Sequence, residues 1–348
     1  MCFSEQHKKI ADYTELLMNK TEREFFKFTR VTKRTFHYLT DMMEQTDRFS
    51  ATPSVHAGHP PTSAVTALSV TLFYLGSLTS QREIAERFHI SQGHMSVLVK
   101  DVVAFLCGIA DSVIRWPSLA EMNDTDVAFQ EMANFPGVLG AVDGCHIPIL
   151  APDHCQHDYI DRNHTHSVNL MAVCDASKKF TYCFAGFPGS VHDQRVLANS
   201  KLGTMIDACS PQYFPSTHYH ILGDSAFQLN QHVMVPYKDT GRLTVKELNF
   251  NRKLSQTRRV IENAFGFLKG RFRRLKHLEC KFSRVSNFII ACCVMHNLTV
   301  ADQTEVDMLL SDSHCQPVTE DESASPRGAL DLPTGKQKRD RIADLLMQ

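Results

Sequence analysis

The sequence predicts an α/β protein, a mixed sheet flanked by helices and preceded by an all-helical segment. Two observations carry this. From Gly137 the apolar pattern changes from helical spacing to short, nearly continuous runs that read as buried strands. Hairpin-like early runs are then followed by a helix, a further strand and two strong helical patterns, the order of a mixed α/β domain.

The elements follow in order. Residues 1–125 read as a helical region. Phe36, Leu39, Met42 and Met43 form a stripe within 33–46, and residues 47–62, with three prolines and a glycine, read as a loop. A helix rich in Ala, Val and Leu spans 63–75 and is stopped by Gly76. Ser80-Gln81-Arg82-Glu83 has the form of a capping box for a short helix ending near His89. Ser91 then caps a helix that aligns Met95, Leu98, Val99, Val102 and Leu106 on one face. Two helices joined by so short a turn suggest a helix-turn-helix over about 79–106. Trp116, the only tryptophan, sits in the connector as a packing residue. Strands are expected at 138–150, 168–175, 180–187 and 219–223, with a short helix at 194–202 and long helices at 258–276 and 285–300. Together these make a domain over 137–300.

After Ala301 the composition shifts. Residues 302–322 hold seven acidic side chains and no Lys or Arg, whereas 336–341 is basic. The expectation for 301–348 is a mobile, solvated tail; the basic patch would otherwise serve as a short nuclear-import signal.

At 348 residues the chain has room for two domains or for one large domain with an appended module. Its net charge of −1 says nothing about partners until it is resolved locally. No run of 18 apolar residues occurs and the first 19 residues lack a signal-peptide core, so a soluble, unsecreted protein is expected, with no membrane partner. The 11 cysteines are scattered without a CxxC pair, and Cys145, Cys174, Cys183, Cys292 and Cys293 fall in apolar segments. That is the pattern of reduced thiols acting as small hydrophobes in a cytosolic or nuclear compartment. His154, Cys155, His157, His164 and His166 crowd one stretch but lack the paired spacings of structural zinc sites.

Three carboxylates stand out from the solvated majority. Asp143 and Asp224 each end an apolar, strand-like run, and Glu262 lies on a helix whose face carries Ile261, Ala264, Phe265 and Leu268. A carboxylate at the end of a buried strand needs a cation or hydrogen bonds to offset its desolvation. Hard oxygen ligands of this kind hold divalent Mg²⁺ or Mn²⁺. Paired metals about 3.5–4 Å apart activate a water and stabilise the leaving oxygen of a phosphodiester. Arg258 is a local partner for Glu262, four residues away on the same helix. His146, three residues after Asp143, reads as a structural histidine, and His296-Asn297 as the close of a packed helix. Ten Lys or Arg against two Glu between Arg252 and Lys281 give a local charge of +8, a candidate phosphate-backbone track.

Five motifs in order resemble the PIF/Harbinger transposase family, whose members are DDE superfamily endonucleases, and above all its host-retained nucleases in animals. They are AVDGCHIPI (141–149), FPGSVHD (187–193), LGDSAF (222–227), RRVIENAFGFLKGRFRRL (258–275) and ACCVMHN (291–297). The resemblance covers roughly residues 60 to 300 and implies an RNase H-like catalytic domain after a helix-turn-helix module. Matched motif by motif, it implies catalytic acids at Asp143, Asp224 and Glu262, with Asp193 as a further metal ligand. Asp193 has a second reading as a helix cap. The resemblance also implies a Myb/SANT-like DNA-binding partner that brings the nuclease into the nucleus, hence a distribution between nucleus and cytoplasm. It leaves room for a homo-oligomer.

The expectation is therefore a divalent-metal DNA endonuclease derived from a Harbinger-type transposase. Gln92 and His94 would read bases, Arg82 would meet phosphate, and Arg271, Arg273 and Arg274 would hold the backbone. One rival is a domesticated DNA-binding or regulatory protein that no longer cuts. Another is a metal-dependent hydrolase of small phosphate esters, which leaves the basic track without a use.

Overall fold

The computed structural model describes residues 13–49, 62–301 and 332–348. Most of the predicted loop at 47–62, and the acidic run, lie outside the described residues.

The N-terminal part is helical throughout. Its helices are α1 (Tyr13–Met18), α2 (Glu22–Thr29), α3 (Lys33–Glu44), α4 (Ala64–Gly76), α5 (Gln81–Arg87), α6 (Gln92–Gly108), α7 (Ala110–Val113) and α8 (Leu119–Ala133). Hydroxyl caps start them where the sequence places them: Ser63 accepts the Thr66 amide, Ser80 that of Glu83 and Ser91 that of His94. Phe36, Leu39 and Met43 of α3 are fully buried, while Met42 is only partly covered. Gly76 is the last residue of α4 rather than its stop. The axes of α5 and α6 cross at 97° over a four-residue connection, 88–91. The predicted apolar face of α6 is buried at every named position.

The sheet follows: β1 (Val138–Pro148), β2 (Ser167–Cys174), β3 (Phe180–Pro188), β4 (His220–Leu222) and β5 (Val233–Met234). Its order is β3-β2-β1-β4-β5. β1 pairs antiparallel with β2, and β2 with β3, whereas β1–β4 and β4–β5 are parallel. Gly137, the turn residue just before β1, has a positive φ of 76°, and its amide is held by Asp126 Oδ1 at 2.6 Å. The single helix expected at 194–202 is two, α9 (Asp193–Ala198) and α10 (Lys201–Asp207), because Ser200 caps a new start.

The long helix begins earlier than its apolar pattern. α11 (Val245–Arg271) opens with a complete Thr244–Glu247 capping box, and its polar first half hides the helix from a periodicity reading. α12 (Val285–Val300) is apolar on every side because it lies between β3 and α6. Asn297 fixes it there, exchanging two bonds of 2.7 Å with the Phe180 backbone and donating to Val113 O. One continuous apolar core joins the N-terminal helices to the sheet. Each large side chain fully buried in it contributes on the order of 1.5–3 kcal/mol.

The expectation of a mobile tail does not hold for its final part. α13 (Pro333–Leu345) docks on α11 and β5, with Ile342 and Ala343 buried. Lys338 Nζ donates to Tyr219 O and Gln231 O, and Arg339 lies over the Tyr237 ring at 4.0 Å. Two of the basic residues read as an import patch are thus structural. Among the described residues every cysteine is free, and no single helix is long and apolar enough to cross a membrane.

Candidate functional site

β1 and β4 stop pairing at Ala141↔Leu222, and Asp143 and Asp224 each lie two residues beyond that pair. Parallel neighbours about 4.8 Å apart thus deliver two carboxylates to one place. The apolar run ends at Asp143 but β1 does not. It runs on to Pro148 along β2, so Asp143 sits in mid-strand beside the point where β4 leaves the sheet. The Asp224 carboxylate accepts the Ala226 amide at 2.9 Å, which turns the chain out of the strand.

Asp193 opens α9 and reaches the same neighbourhood. A Cβ on Gly144 would stand 2.0 Å from Asp193 Oδ1, so only glycine lets this carboxylate rest against β1. Asn169 of β2 holds it there, its Nδ2 donating to Asp193 Oδ1 at 2.7 Å. Asn169 is itself buried, and its Oδ1 has no hydrogen-bond partner. His146 lies beside this group and shares a 3.3 Å bond with Ser167.

Glu262 comes from α11 and faces Asp143 through one residue. Arg258 extends one arm of its guanidinium to Asp143 Oδ2 at 2.8 Å and the other to Glu262 Oε1 at 2.5 Å. Its side chain is 13% exposed and that of Asp143 16%, so water screens this bridge poorly. Among the described residues no three carboxylate, histidine or cysteine side chains already sit at ligand spacing. The bridge accounts for part of this, since Arg258 stands between Asp143 and Glu262.

The electrostatics show how much the cluster needs positive charge. Burial pushes the Asp143 carboxyl up to about 8; Arg258 pulls it back, and Asp224 and Asp193 push it further. Burial also raises Asp193, with Asn169 opposing and Asp224 adding to the rise. For Arg258 burial acts downward, but the attraction of Asp143, Glu262 and Asp224 outweighs it and the guanidinium holds its proton more tightly. The donor set, all carboxylate oxygen, crowded and starved of cation, fits a hard divalent metal.

The residues expected to touch nucleic acid divide. Arg82, Gln92 and His94 are exposed on α5 and α6; Arg82 pairs with Glu86, and His94 bonds Thr62 at 2.8 Å. Arg273 is partly exposed. Arg271 and Arg274 are buried, at 0% and 3% exposure, and cannot reach a phosphate. Arg274 donates to Tyr74 O and Thr79 O and lies over the Tyr74 ring at 4.4 Å, binding the N-terminal helices to the α/β part. A charge count cannot tell such a strut from a surface track. Reading from sequence also missed Asn169, which carries no motif, and the reach of Arg258 to Asp143. A cleft of about 960 Å³ lies apart from the carboxylates, between Trp116, Tyr213 and Cys183.

The sequence pattern of the DDE superfamily endonucleases matches residues 142–297, which contain all four carboxylates. A human protein named "Putative nuclease HARBI1" is 32% identical over 251 residues, 70% of this chain and 70% of that protein. Its rat counterpart is 31% identical over 249 residues, 70% of this chain and 69% of the relative. The Arabidopsis thaliana "Protein ALP1-like" is 28% identical over 312 residues, covering 85% of this chain and 75% of the relative. No solved structure matches the chain.

Proposed function

The chain belongs to the Harbinger-derived DDE superfamily endonucleases, and from that membership we propose that it is a divalent-metal-dependent endonuclease that hydrolyses phosphodiester bonds in DNA. The observation that carries the reading is the convergence of Asp143, Asp193 and Asp224 on one partly buried place, where Asp224 and Asp193 disfavour ionisation of Asp143 and Asp224 that of Asp193. Asp143, Asp224 and Glu262 are the catalytic acids in this reading, and with Asp193 they hold the metal. Divalent metal bound there supplies water activation and stabilisation of the leaving oxygen. The chain's own part is to fix the carboxylates: Gly144 makes space for Asp193, Asn169 anchors it, and the Ala226 amide orients Asp224.

The sheet, three antiparallel strands continued by two parallel ones, supports an RNase H-like assignment. The 97° crossing of α5 and α6, with Gln92 and His94 exposed at the start of the second helix, supports a helix-turn-helix that reads DNA. Arg82 and Arg273 are the phosphate contacts that remain exposed enough to serve. We further propose a Myb/SANT-like DNA-binding partner. A net charge near zero gives little long-range attraction to DNA, and a basic patch half engaged in α13 gives little import signal. On this reading the protein divides between cytoplasm and nucleus and moves to the nucleus with its partner. Imaging with and without candidate partners tests this, and strong nuclear accumulation in partner-free cells counts against it.

A second reading is a DNA-binding or regulatory protein that no longer cuts. It is favoured by the Arg258 bridge, which occupies oxygens a metal would need. The deciding experiment is a cleavage assay on defined duplexes with Mg²⁺ or Mn²⁺, comparing the full chain with Asp143→Asn. Metal-dependent cutting lost in the variant supports the nuclease. No cutting by either, with DNA binding retained, supports the regulator.

A further inference from the structure

Arg258 is placed unlike an ordinary helix-surface arginine. It does not grip one carboxylate with both arms; it spends one arm on Asp143 of the central strand and the other on Glu262 of its own helix. Arg258 reaches Asp143 across 115 residues of sequence, and both acids it joins belong to the set proposed to hold metal. Each bond occupies an oxygen that a divalent cation would use. The other Asp143 oxygen already accepts the Gly144 amide at 2.9 Å. Asp143, Glu262 and Asp224 all act on this one guanidinium, and burial still disfavours the charge on Asp143 with Arg258 in place.

We propose that Arg258 is an internal counter-cation that holds Asp143 and Glu262 until divalent metal displaces it from at least one of them, and so sets the metal concentration at which the site loads. This rests on the nuclease reading of the site. Arg258 is then a positioning residue, acting through the two carboxylates. Its effect on metal has a definite sign. A fixed positive charge beside the ligands repels an incoming dication and competes for the same oxygens, so removing it tightens metal binding. A residue that merely scaffolds the carboxylates has the opposite signature, because its loss disperses the ligands and weakens binding.

The test is a Mn²⁺ titration of the full chain without DNA, followed by calorimetry, for the wild type, Arg258→Gln, Arg258→Lys and Asp143→Asn. Circular dichroism checks that each variant is folded. Arg258→Gln should bind Mn²⁺ about tenfold more tightly, or better, than the wild type. Arg258→Lys keeps the charge but reaches only one carboxylate, and should tighten binding by a smaller factor. It also carries the test if the Gln variant fails to fold. Asp143→Asn should lose the site. Equal or weaker binding by the Arg258 variants, with the wild type binding normally, overturns the proposal and leaves the nuclease reading intact. Binding by Arg258→Gln but not by the wild type supports it in its strongest form. No binding by any of them removes the nuclease reading, and the proposal with it.

Discussion

Asp143→Asn should make the metal-free protein more stable while abolishing its activity. Burial raises the Asp143 carboxyl from 3.8 to about 8, so between those values the folded chain holds a proton that the unfolded chain has released. Stability supplied by this group is therefore full below about pH 4 and is lost as pH rises towards 8. At pH 7 that window spans about three units at roughly 1.4 kcal/mol each, an upper bound near 4 kcal/mol for keeping the aspartate. The side chain retains 16% exposure, so water offsets part of that cost. A net gain of about 1–2 kcal/mol at pH 7 is a fair expectation. The assay is urea unfolding at pH 5, 7 and 9, with and without Mn²⁺. The wild type should lose stability from pH 5 to 8 without metal and regain it with Mn²⁺, because metal takes the ionised carboxylate. The variant should show a flatter pH profile, no Mn²⁺ effect and no cleavage of duplex DNA. A destabilised variant with an unchanged pH profile would refute the reasoning, since burial of the charge would then not be what Asp143 contends with.

Glu262→Gln and Asp224→Asn should each abolish metal-dependent cleavage while leaving DNA binding in place; undiminished cutting by either sinks its assignment. Arg274→Ala should cost about 3 kcal/mol, from two hydrogen bonds to a charged group and its stacking on Tyr74, which urea unfolding reads directly. Arg273→Ala, partly exposed, should instead weaken binding to all DNA sequences and flatten the salt dependence, measured by fluorescence anisotropy across salt. Gln92→Ala or His94→Ala should relax sequence preference with stability within about 0.5 kcal/mol; an unaltered preference in a binding-site selection means this helix is not the reader. Burial lowers Lys338 from 10.5 to about 7, so between those values the folded chain holds fewer protons and stability rises with pH. Lys338→Met should remove that rise in thermal unfolding between pH 7 and 10.

The sequence by itself determined the strands that carry Asp143 and Asp224, the helix that carries Glu262 and the caps of α4, α5 and α6. Those features are local: a continuous apolar run is buried whatever covers it, and a Ser or Thr caps with an amide two or three residues away. The five ordered motifs identified the family for the same reason, as each is a short contiguous string. Tertiary structure alone decided what the charges do. Arg271, Arg273 and Arg274 are neighbours in a basic run, yet two are buried and one is partly exposed, because burial follows which face turns toward another element. β5, two residues long, has no period to read. The tail helix looked solvated because its buried stripe is thin and its lysine stem and arginine plane supply much of the contact. Asn169 against Asp193, and Arg258 between Asp143 and Glu262, join segments 24 and 115 residues apart. No local pattern encodes such contacts; they exist only once the sheet and α11 bring the carboxylates together and leave them short of positive charge.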